Sequence, residues 1–119
     1  MGLKRLVKGL SVSTGELEQQ RLCNRFDTVD GDRVVLGECP QRCPVRVAGE
    51  ISSLRVITRA GCPSLEVTVD DGTGKAVAVF TGRRALGGLD PGRGVILDGV
   101  ARRERDRLTL VNPSYTLLP

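Results

Sequence analysis

The chain has 119 residues, of which 18 are basic and 14 acidic, and its formal net charge is +4 at neutral pH. This length is enough for one domain with a modest core and a short appendage. No stretch reaches the roughly 18 consecutive apolar residues of a membrane span, and residues 1–10 mix basic with apolar side chains instead of forming a secretory signal. We therefore expect a cytoplasmic protein with no membrane partner.

Aromatic residues are scarce in this chain. There is no Trp, and Phe26, Phe80 and Tyr115 are the only aromatic side chains. The core is therefore expected to consist of Val, Leu and Ile. A ligand surface of stacked aromatic rings, which sequence-tolerant nucleic-acid binders generally use, has few candidates here.

The positive charge is concentrated in the second part of the chain. Residues 1–41 contain six basic and six acidic residues, whereas residues 42–119 contain twelve basic and eight acidic ones. Arg accounts for 15 of the 18 basic residues. Arg suits phosphate or base contacts, but a GC-rich genome would produce the same bias. The mild positive field is compatible with a polyanionic partner.

The first 41 residues are interpreted as a helical arm and linker. Leu3, Leu6, Val7 and Leu10 fall on one helical face. The segment 13–16, Ser-Thr-Gly-Glu, fits a capping box, which predicts a second helix to about Arg25. Residues 26–41 are irregular and form the linker. The arm either covers one end of the following domain, the interpretation we favour slightly, or contacts a partner. A basic amphipathic arm lying on a membrane is a third alternative, but residues 3–10 are too short for tight binding.

From Val45 onward, short runs of alternating apolar and polar residues are separated by glycine- or charge-rich turns, which predicts β-strands. In the first strand, Gly49 lies where a tightly curled strand needs a residue without a Cβ. Together the runs predict a curled five-stranded antiparallel sheet. The expected elements are strand one over residues 45–58, a turn over 59–63, a hairpin of strands two and three over 64–80, a short helix or turn over 82–88, a turn over 90–94, strand four over 95–102, strand five over 107–111 and a closing segment over 112–118.

Phe80 falls out of step with Val77 and Val79 in the third strand. If the two valines point into the core, then Phe80 lies on the outer face with Ala76 and Ala78, where its ring could stack on a base. The alternative is that Phe80 caps the core at the end of its strand. Tyr115 is expected to hold the C-terminal strand against the barrel.

Five segments in order resemble the OB fold of the anticodon-binding superfamily: residues 45–51, 67–74, 77–80, 92–100 and 112–115. The pattern is similar to the wedge domain of RecG-type helicases and to small stand-alone OB-fold proteins of actinobacteria, and it covers roughly residues 44–118. The resemblance implies a five-stranded Greek-key barrel with an N-terminal helical extension. We therefore divide the chain into an arm and linker, residues 1–41, and an OB-fold domain, residues 42–119.

The resemblance also implies where a ligand lies. In such folds it usually crosses strands two and three, between the loop joining strands one and two and the loop joining strands four and five. The plainer alternative is a solvated loop in which Glu104 and Asp106 pair with the neighbouring arginines. The residues expected to contact nucleic acid are Arg55, Arg59, Lys75, Phe80, Arg83, Arg84, Arg102, Arg103, Arg105 and Arg107.

Four cysteines, Cys23, Cys39, Cys43 and Cys62, raise the question of a metal site. Only Cys39 and Cys43 have the close spacing typical of a zinc ligand pair, and the chain has no His to complete a mixed site. Structural zinc and a disulfide between Cys39 and Cys43 remain alternatives, but reduced thiols are the expected state in a cytosolic protein. No cofactor is predicted.

Catalysis is not expected from this sequence. It has no His, no Gly-x-Ser-x-Gly elbow and no Gly-x-x-x-x-Gly-Lys-Ser/Thr phosphate loop, and Asp70 and Asp71 precede a turn in which Asp is a common residue. The favoured hypothesis is a non-catalytic module that binds single-stranded DNA or RNA with low sequence specificity. The alternative is an adaptor that docks on a larger nucleic-acid-processing or other assembly. The choice between DNA and RNA and the oligomeric state stay open.

Overall fold

The computed structural model describes residues 14–27, 29 and 33–119, and it confirms the predicted run of strands after a helical segment. The helix expected over residues 3–10 lies outside the described residues, whereas the helix expected from the capping box to about Arg25 is confirmed. The elements are α1 (Thr14–Phe26), a 3-10 helix (Leu36–Glu38), β1 (Pro44–Arg59), β2 (Cys62–Asp70), β3 (Lys75–Thr81), β4 (Gly94–Glu104), β5 (Arg107–Val111) and β6 (Ser114–Leu117).

Five strands close into a barrel in the order β1-β2-β3-β5-β4, with β4 pairing back to β1 and β6 pairing with β4. All pairs are antiparallel except β3 with β5, which run parallel. The expectation of a wholly antiparallel sheet was wrong at this pair. A ring with an odd number of strands cannot alternate direction all the way round, so one neighbouring pair must be parallel.

β1 is long because its two halves pair with different strands. Its residues 44–50 pair with β4 and its residues 50–59 pair with β2. The register shifts between Ile51 and Ser53, which marks a bulge at the bend. Gly49 precedes the bend, and a Cβ there would lie 2.9 Å from the Cβ of Val69. The predicted need for a residue without a Cβ in this strand is confirmed.

The core is mostly Val, Leu and Ile, as the composition predicts, with Ala and one Phe added. Val47, Val67, Val95 and Leu110 are fully buried inside the barrel. Two further core residues come from outside the strands, namely Leu36 from the 3-10 helix and Leu89 from the turn before β4. The segment over residues 82–88 is a turn and not a helix.

Of the two positions considered for Phe80, the outward one is wrong and the one in the core at the end of its strand is confirmed. In the β2–β3 hairpin, Leu65 pairs with Phe80 and Val67 pairs with Ala78, and cross-strand partners share one face of a sheet. Phe80 is 6% exposed and lies in the core, where its ring meets that of Tyr115 edge-on at 5.8 Å between centroids. Ala78 faces the interior opposite Val67, and the next residue along β3, Val79, therefore faces outward. The packing role predicted for Tyr115 is confirmed.

α1 packs over Ala48 on the outer face of β1 and also reaches the β2–β3 turn at one end of the barrel, beside Gly72. Leu22 and Phe26 are buried with Ala48, which points outward from β1. Glu50 of β1 accepts hydrogen bonds from both Arg21 and Arg25 of the helix. These hydrogen bonds outweigh its partial burial and lower the pKa of Glu50. In the described part of the chain, no helix is long and apolar enough to cross a membrane.

Candidate nucleic-acid interface

Two tight turns stand at the ends of the strands that carry most of the predicted site. The β1–β2 turn has left-handed backbone at Ala60, φ 51°, and Gly61, φ 79°. The β4–β5 turn has left-handed backbone at Arg105, φ 58°. Such conformations match the twist of two-residue hairpin loops. The turns therefore fix the position of the arginines beside them.

The two turns line one cleft of about 620 Å³, which we call the arginine cleft. Its lining residues are Arg59, Glu104, Arg105, Asp106 and Arg107. Within the described ranges, no ion pair involves Arg59 or Arg105, nor either of the two acids. The expected pairing of the acids with the neighbouring arginines is therefore not seen, and the cleft presents three guanidinium groups against two carboxylates.

Glu66 holds two of the predicted binding residues. Its carboxylate accepts hydrogen bonds from Arg55 at 3.1 Å and from Arg107 at 3.1 and 3.4 Å. The Glu66 side chain is only 8% exposed. Burial raises its pKa, but the hydrogen bonds from Arg55 and Arg107 together outweigh burial, so the pKa of Glu66 lies below its ordinary value. Arg55 and Arg107 are thus partly neutralised by this carboxylate.

Sequence reasoning missed Glu66, although the signal was present. The β1–β2 hairpin has a two-residue turn, and counting back from it places Arg55 directly opposite Glu66. Oppositely charged cross-strand partners attract each other.

The outward face next to the arginine cleft is aliphatic. Val79 of β3 lies beside Val111 of β5, and Val77 lies beside Thr109. Val111 is 53% exposed, whereas Thr109 is buried and its hydroxyl has no hydrogen-bond partner among the described residues. With Phe80 turned inward, this face offers a base apolar contact but no aromatic ring.

The remaining predicted residues lie in other places. Arg102 and Arg103 are exposed on β4, and the backbone N–H of Arg103 donates to Gln41. Arg83 lines a separate cleft of about 520 Å³ with Tyr115. Arg84 lines a smaller one of about 230 Å³, and Lys75 faces a cleft beside α1. The structure therefore groups only part of the predicted set.

The four cysteines are free thiols. Cys39 and Cys43 are partly buried against the core, and Cys62 is exposed next to the β1–β2 turn. Burial and the neighbouring Cys43 raise the pKa of the Cys39 thiol, and Arg103 opposes them. In the ranges that the structure describes, no three His, Cys, Asp or Glu side chains cluster in a way that could hold a metal ion.

No protein-family model and no curated protein sequence matches this chain. Solved structures do match its fold. RecG bound to a three-way DNA junction aligns over 72% of this chain with a TM-score of 0.61 and 17% identity. The OB domain of Ta0387 from Thermoplasma acidophilum aligns over 74% with a TM-score of 0.55 and 15% identity, and covers 88% of that domain. The chain has the OB fold.

A third match supports the same conclusion. A Replication Protein A heterotrimer bound to ssDNA aligns over 83% of this chain and 76% of its own, with a TM-score of 0.50 and 13% identity. The predicted OB fold and the predicted similarity to a RecG domain are confirmed at the level of fold. This chain corresponds to only 13% of the RecG chain. The resemblance to actinobacterial OB-fold proteins stays a prediction.

Proposed function

We propose that this OB-fold domain is a non-catalytic module that binds single-stranded DNA or RNA with little sequence preference. The observation that carries the proposal is the arginine cleft, where Arg59 from one turn meets Arg105 and Arg107 from another. Support also comes from the matched structures, since one is described with ssDNA and another with a DNA junction. Arg59 and Arg105 have no competing ion pair among the described residues, so both are available to phosphates.

The same geometry explains why sequence preference is expected to be low. Guanidinium groups at a cleft bind the phosphates, which every sequence carries. Base recognition requires aromatic platforms or polar groups aimed at base edges. The neighbouring face instead presents Val79 and Val111. Affinity should therefore be modest and depend mainly on charge.

The test is a fluorescence-anisotropy titration with labelled single-stranded and double-stranded oligonucleotides over a range of salt concentrations. Binding to single strands should weaken with salt. The slope of log K against log salt concentration should be about −0.7 for each phosphate contacted. The double variant Arg59→Glu, Arg105→Glu should bind about tenfold more weakly and with a shallower slope. Arg93→Glu is the single-site control, because Arg93 is exposed and precedes β4 at the end opposite the cleft.

Two results would refute the proposal. The first is the absence of binding to any single-stranded oligonucleotide at low salt. The second is an equal loss of affinity in Arg59→Glu alone and in the Arg93→Glu control, two variants of the same net charge, because binding would then reflect net charge and not the arginine cleft. A preference for double-stranded DNA would remove the single-strand part of the proposal.

A second candidate function is the protein-interaction adaptor, and one observation favours it. The second half of β1 has a strand edge without a partner among the described residues. Exposed strand edges are common docking sites for extended peptides.

A further inference from the structure

The unpaired edge of β1 begins where the strand leaves β4. Ile51 still has partners on that side, because its N–H donates to the carbonyl of Arg93 and its carbonyl accepts from Gly92. From Ser53 to Arg59, β1 pairs only with β2. Across residues 14–27, 29 and 33–119, no backbone group bonds to the other side of this segment. We call this segment the free β1 edge.

The register shows which backbone groups the free β1 edge presents. The carbonyl of Pro63 accepts a hydrogen bond from Gly82 on the side of β3, so it does not face β1. The opposed pair Thr58 and Pro63 is therefore a pair without mutual hydrogen bonds. Such pairs alternate along an antiparallel ladder. It follows that Leu54, Val56 and Thr58 direct their N–H and C=O groups away from β2.

An apolar cleft lies directly beside this edge. Its volume is about 230 Å³, enough for an aliphatic side chain. Val56 is 45% exposed and lines it. The other lining residues are Leu54, Arg55, Leu65, Arg84, Ala85, Leu86, Leu89 and Asp90. The free edge thus combines unpaired backbone groups with a place for one apolar side chain.

The charged groups around the edge are Arg55, Arg59 and Arg84, together with Asp90 in the apolar cleft and Glu66, which pairs with Arg55. Arg55 and Arg59 lie on the face of β1 opposite to Val56, since side chains alternate along a strand. Arg84 stands at the rim of the apolar cleft, and no ion pair of the described residues involves Arg59 or Arg84. A strand added to this edge would therefore meet mainly apolar groups on the side of Val56, and on the other side Arg59 together with Arg55, which Glu66 partly neutralises.

We propose that the free β1 edge binds an extended peptide of a partner protein in which acidic and apolar residues alternate. Its backbone pairs with Leu54, Val56 and Thr58, and its apolar side chains face the apolar cleft. Its acidic side chains face Arg59, which has no ion pair among the described residues, and the neighbouring Arg55, which Glu66 partly neutralises. Residues 1–13 of this chain fit poorly, because they carry Lys4, Arg5 and Lys8 and no acid. A second copy would bring like-charged edges together.

The experiment uses the full chain and a fluorescein-labelled peptide of four Glu-Val repeats, with four Lys-Val repeats as the control peptide. Val56→Pro removes the outward N–H of residue 56, whereas the matched variant Val56→Thr keeps that N–H and nearly the same shape. We expect the Glu-Val peptide to bind the wild type and the Thr variant. Val56→Pro should weaken binding about fivefold or more relative to Val56→Thr.

Amide hydrogen exchange of the wild-type protein provides a readout that does not require the Pro variant to fold. The Glu-Val peptide should slow exchange at Leu54, Val56 and Thr58, and should leave Arg55 and Ile57, which already face β2, unchanged. Protection elsewhere, equal binding of the Lys-Val peptide or equal affinities of the two variants would overturn the proposal.

Two further measurements distinguish a peptide partner from a second copy of the chain and from an oligonucleotide. Sedimentation that shows a wild-type dimer and a Val56→Pro monomer would overturn the proposal, because the occupant would then be a second copy. Oligonucleotide binding should be the same in Val56→Pro and wild type, since Val56 does not line the arginine cleft. Failure of peptide binding therefore leaves the proposed nucleic-acid function intact, and failure of oligonucleotide binding leaves the peptide proposal intact.

Discussion

Glu66 connects three strands of the barrel through one carboxylate. It stands on β2 and accepts hydrogen bonds from Arg55 on β1 and Arg107 on β5. A buried carboxylate is costly unless it is paired, and here two guanidinium groups supply the pairing. The same contacts hold Arg107 at the rim of the arginine cleft, so one ion-pair cluster serves both the barrel and the candidate site.

We expect Glu66→Gln to destabilise the fold by about 1–2 kcal/mol, because neutral amide hydrogen bonds to the two arginines are weaker than charged ones. The lowered pKa of Glu66 adds a pH signature. Its stabilising contribution is complete above the unfolded-state value, near 4.5, and is lost as pH falls through the lower folded-state pKa. Urea denaturation from pH 7 to pH 3 should therefore show a smaller acid-induced loss in the Gln variant; equal slopes would contradict this.

Asp71 is a second buried carboxylate, and it fixes the β2–β3 turn. It is 2% exposed and accepts hydrogen bonds from the N–H groups of Leu36, Thr73 and Gly74 and from the hydroxyl of Thr73. The bond from Leu36 ties the 3-10 helix to the turn. Asp71 is thus more than the turn former that the sequence suggested.

Asp71→Ala should lower the free energy of unfolding by about 3 kcal/mol, because several buried donors lose their acceptor at once. Asp70→Ala is the control, since Asp70 accepts one hydrogen bond within the turn, from Gly72. Its expected cost is about 1 kcal/mol. Urea denaturation measures both values, and similar losses in the two variants would contradict the role assigned to Asp71.

At the scale of elements, α1 is held by apolar packing and by close contact with the β2–β3 turn. Gly72 lies under the helix with φ 90°, and a Cβ there would approach the carbonyl oxygen of Gln19 to 2.5 Å and the sulfur of Cys23 to 2.6 Å. Both atoms belong to α1. The helix can keep its place only if residue 72 has no side chain.

We therefore expect Gly72→Ala to displace α1. The matched control is Gly61→Ala, because Gly61 also has positive φ, 79°, but nothing lies within 4 Å of its added Cβ. Both variants carry a backbone cost of about 1 kcal/mol. Only Gly72→Ala should also speed hydrogen exchange throughout α1, and unchanged exchange there would contradict the packing described above.

The positions of the strands could be predicted from the sequence, but which of their side chains face the core could be predicted only in part. Alternation in β2 and the turn residues after Asp70 fix the hairpin, because both signals are local. The inward face of β3 depends on pairing with β2, and two valines misled the assignment of Phe80. The position of α1 depends on which barrel wall offers an uncovered small residue, Ala48, and no local signal marks it.

For the whole molecule, the arrangement of charge matters more than the net charge of +4. The sequence placed the basic excess in the barrel, but the grouping of Arg59 with Arg105 follows from barrel closure, which brings two distant turns together. Lys75 and Arg84, which are equally basic, face other clefts. Local counts of charge could not have separated these groups.

Removing the acids of the arginine cleft should strengthen nucleic-acid binding, whereas removing its arginines should weaken it. The double variant Glu104→Gln, Asp106→Asn removes repulsion of phosphates and should raise affinity for single-stranded oligonucleotides about threefold or more at low salt. The control Glu38→Gln, Asp90→Asn makes the same change in net charge outside the cleft. Anisotropy titrations should show a gain only in the first variant, and the gain should shrink at high salt. Equal gains in both would argue against a localised site.

The bulge between Ile51 and Ser53 makes the length of β1 as important as its composition. Before the bulge the odd-numbered residues Val45, Val47 and Ile51 point inward, and after it the even-numbered Leu54 does so. Ser52 is the extra residue, so deleting it would leave Leu54 and Arg55 on their present faces opposite Val67 and Glu66, but would remove the bulge at which β1 bends from β4 to β2. Replacement of Ser52 should therefore be tolerated better than its deletion, which would straighten β1 at the point where it changes partners.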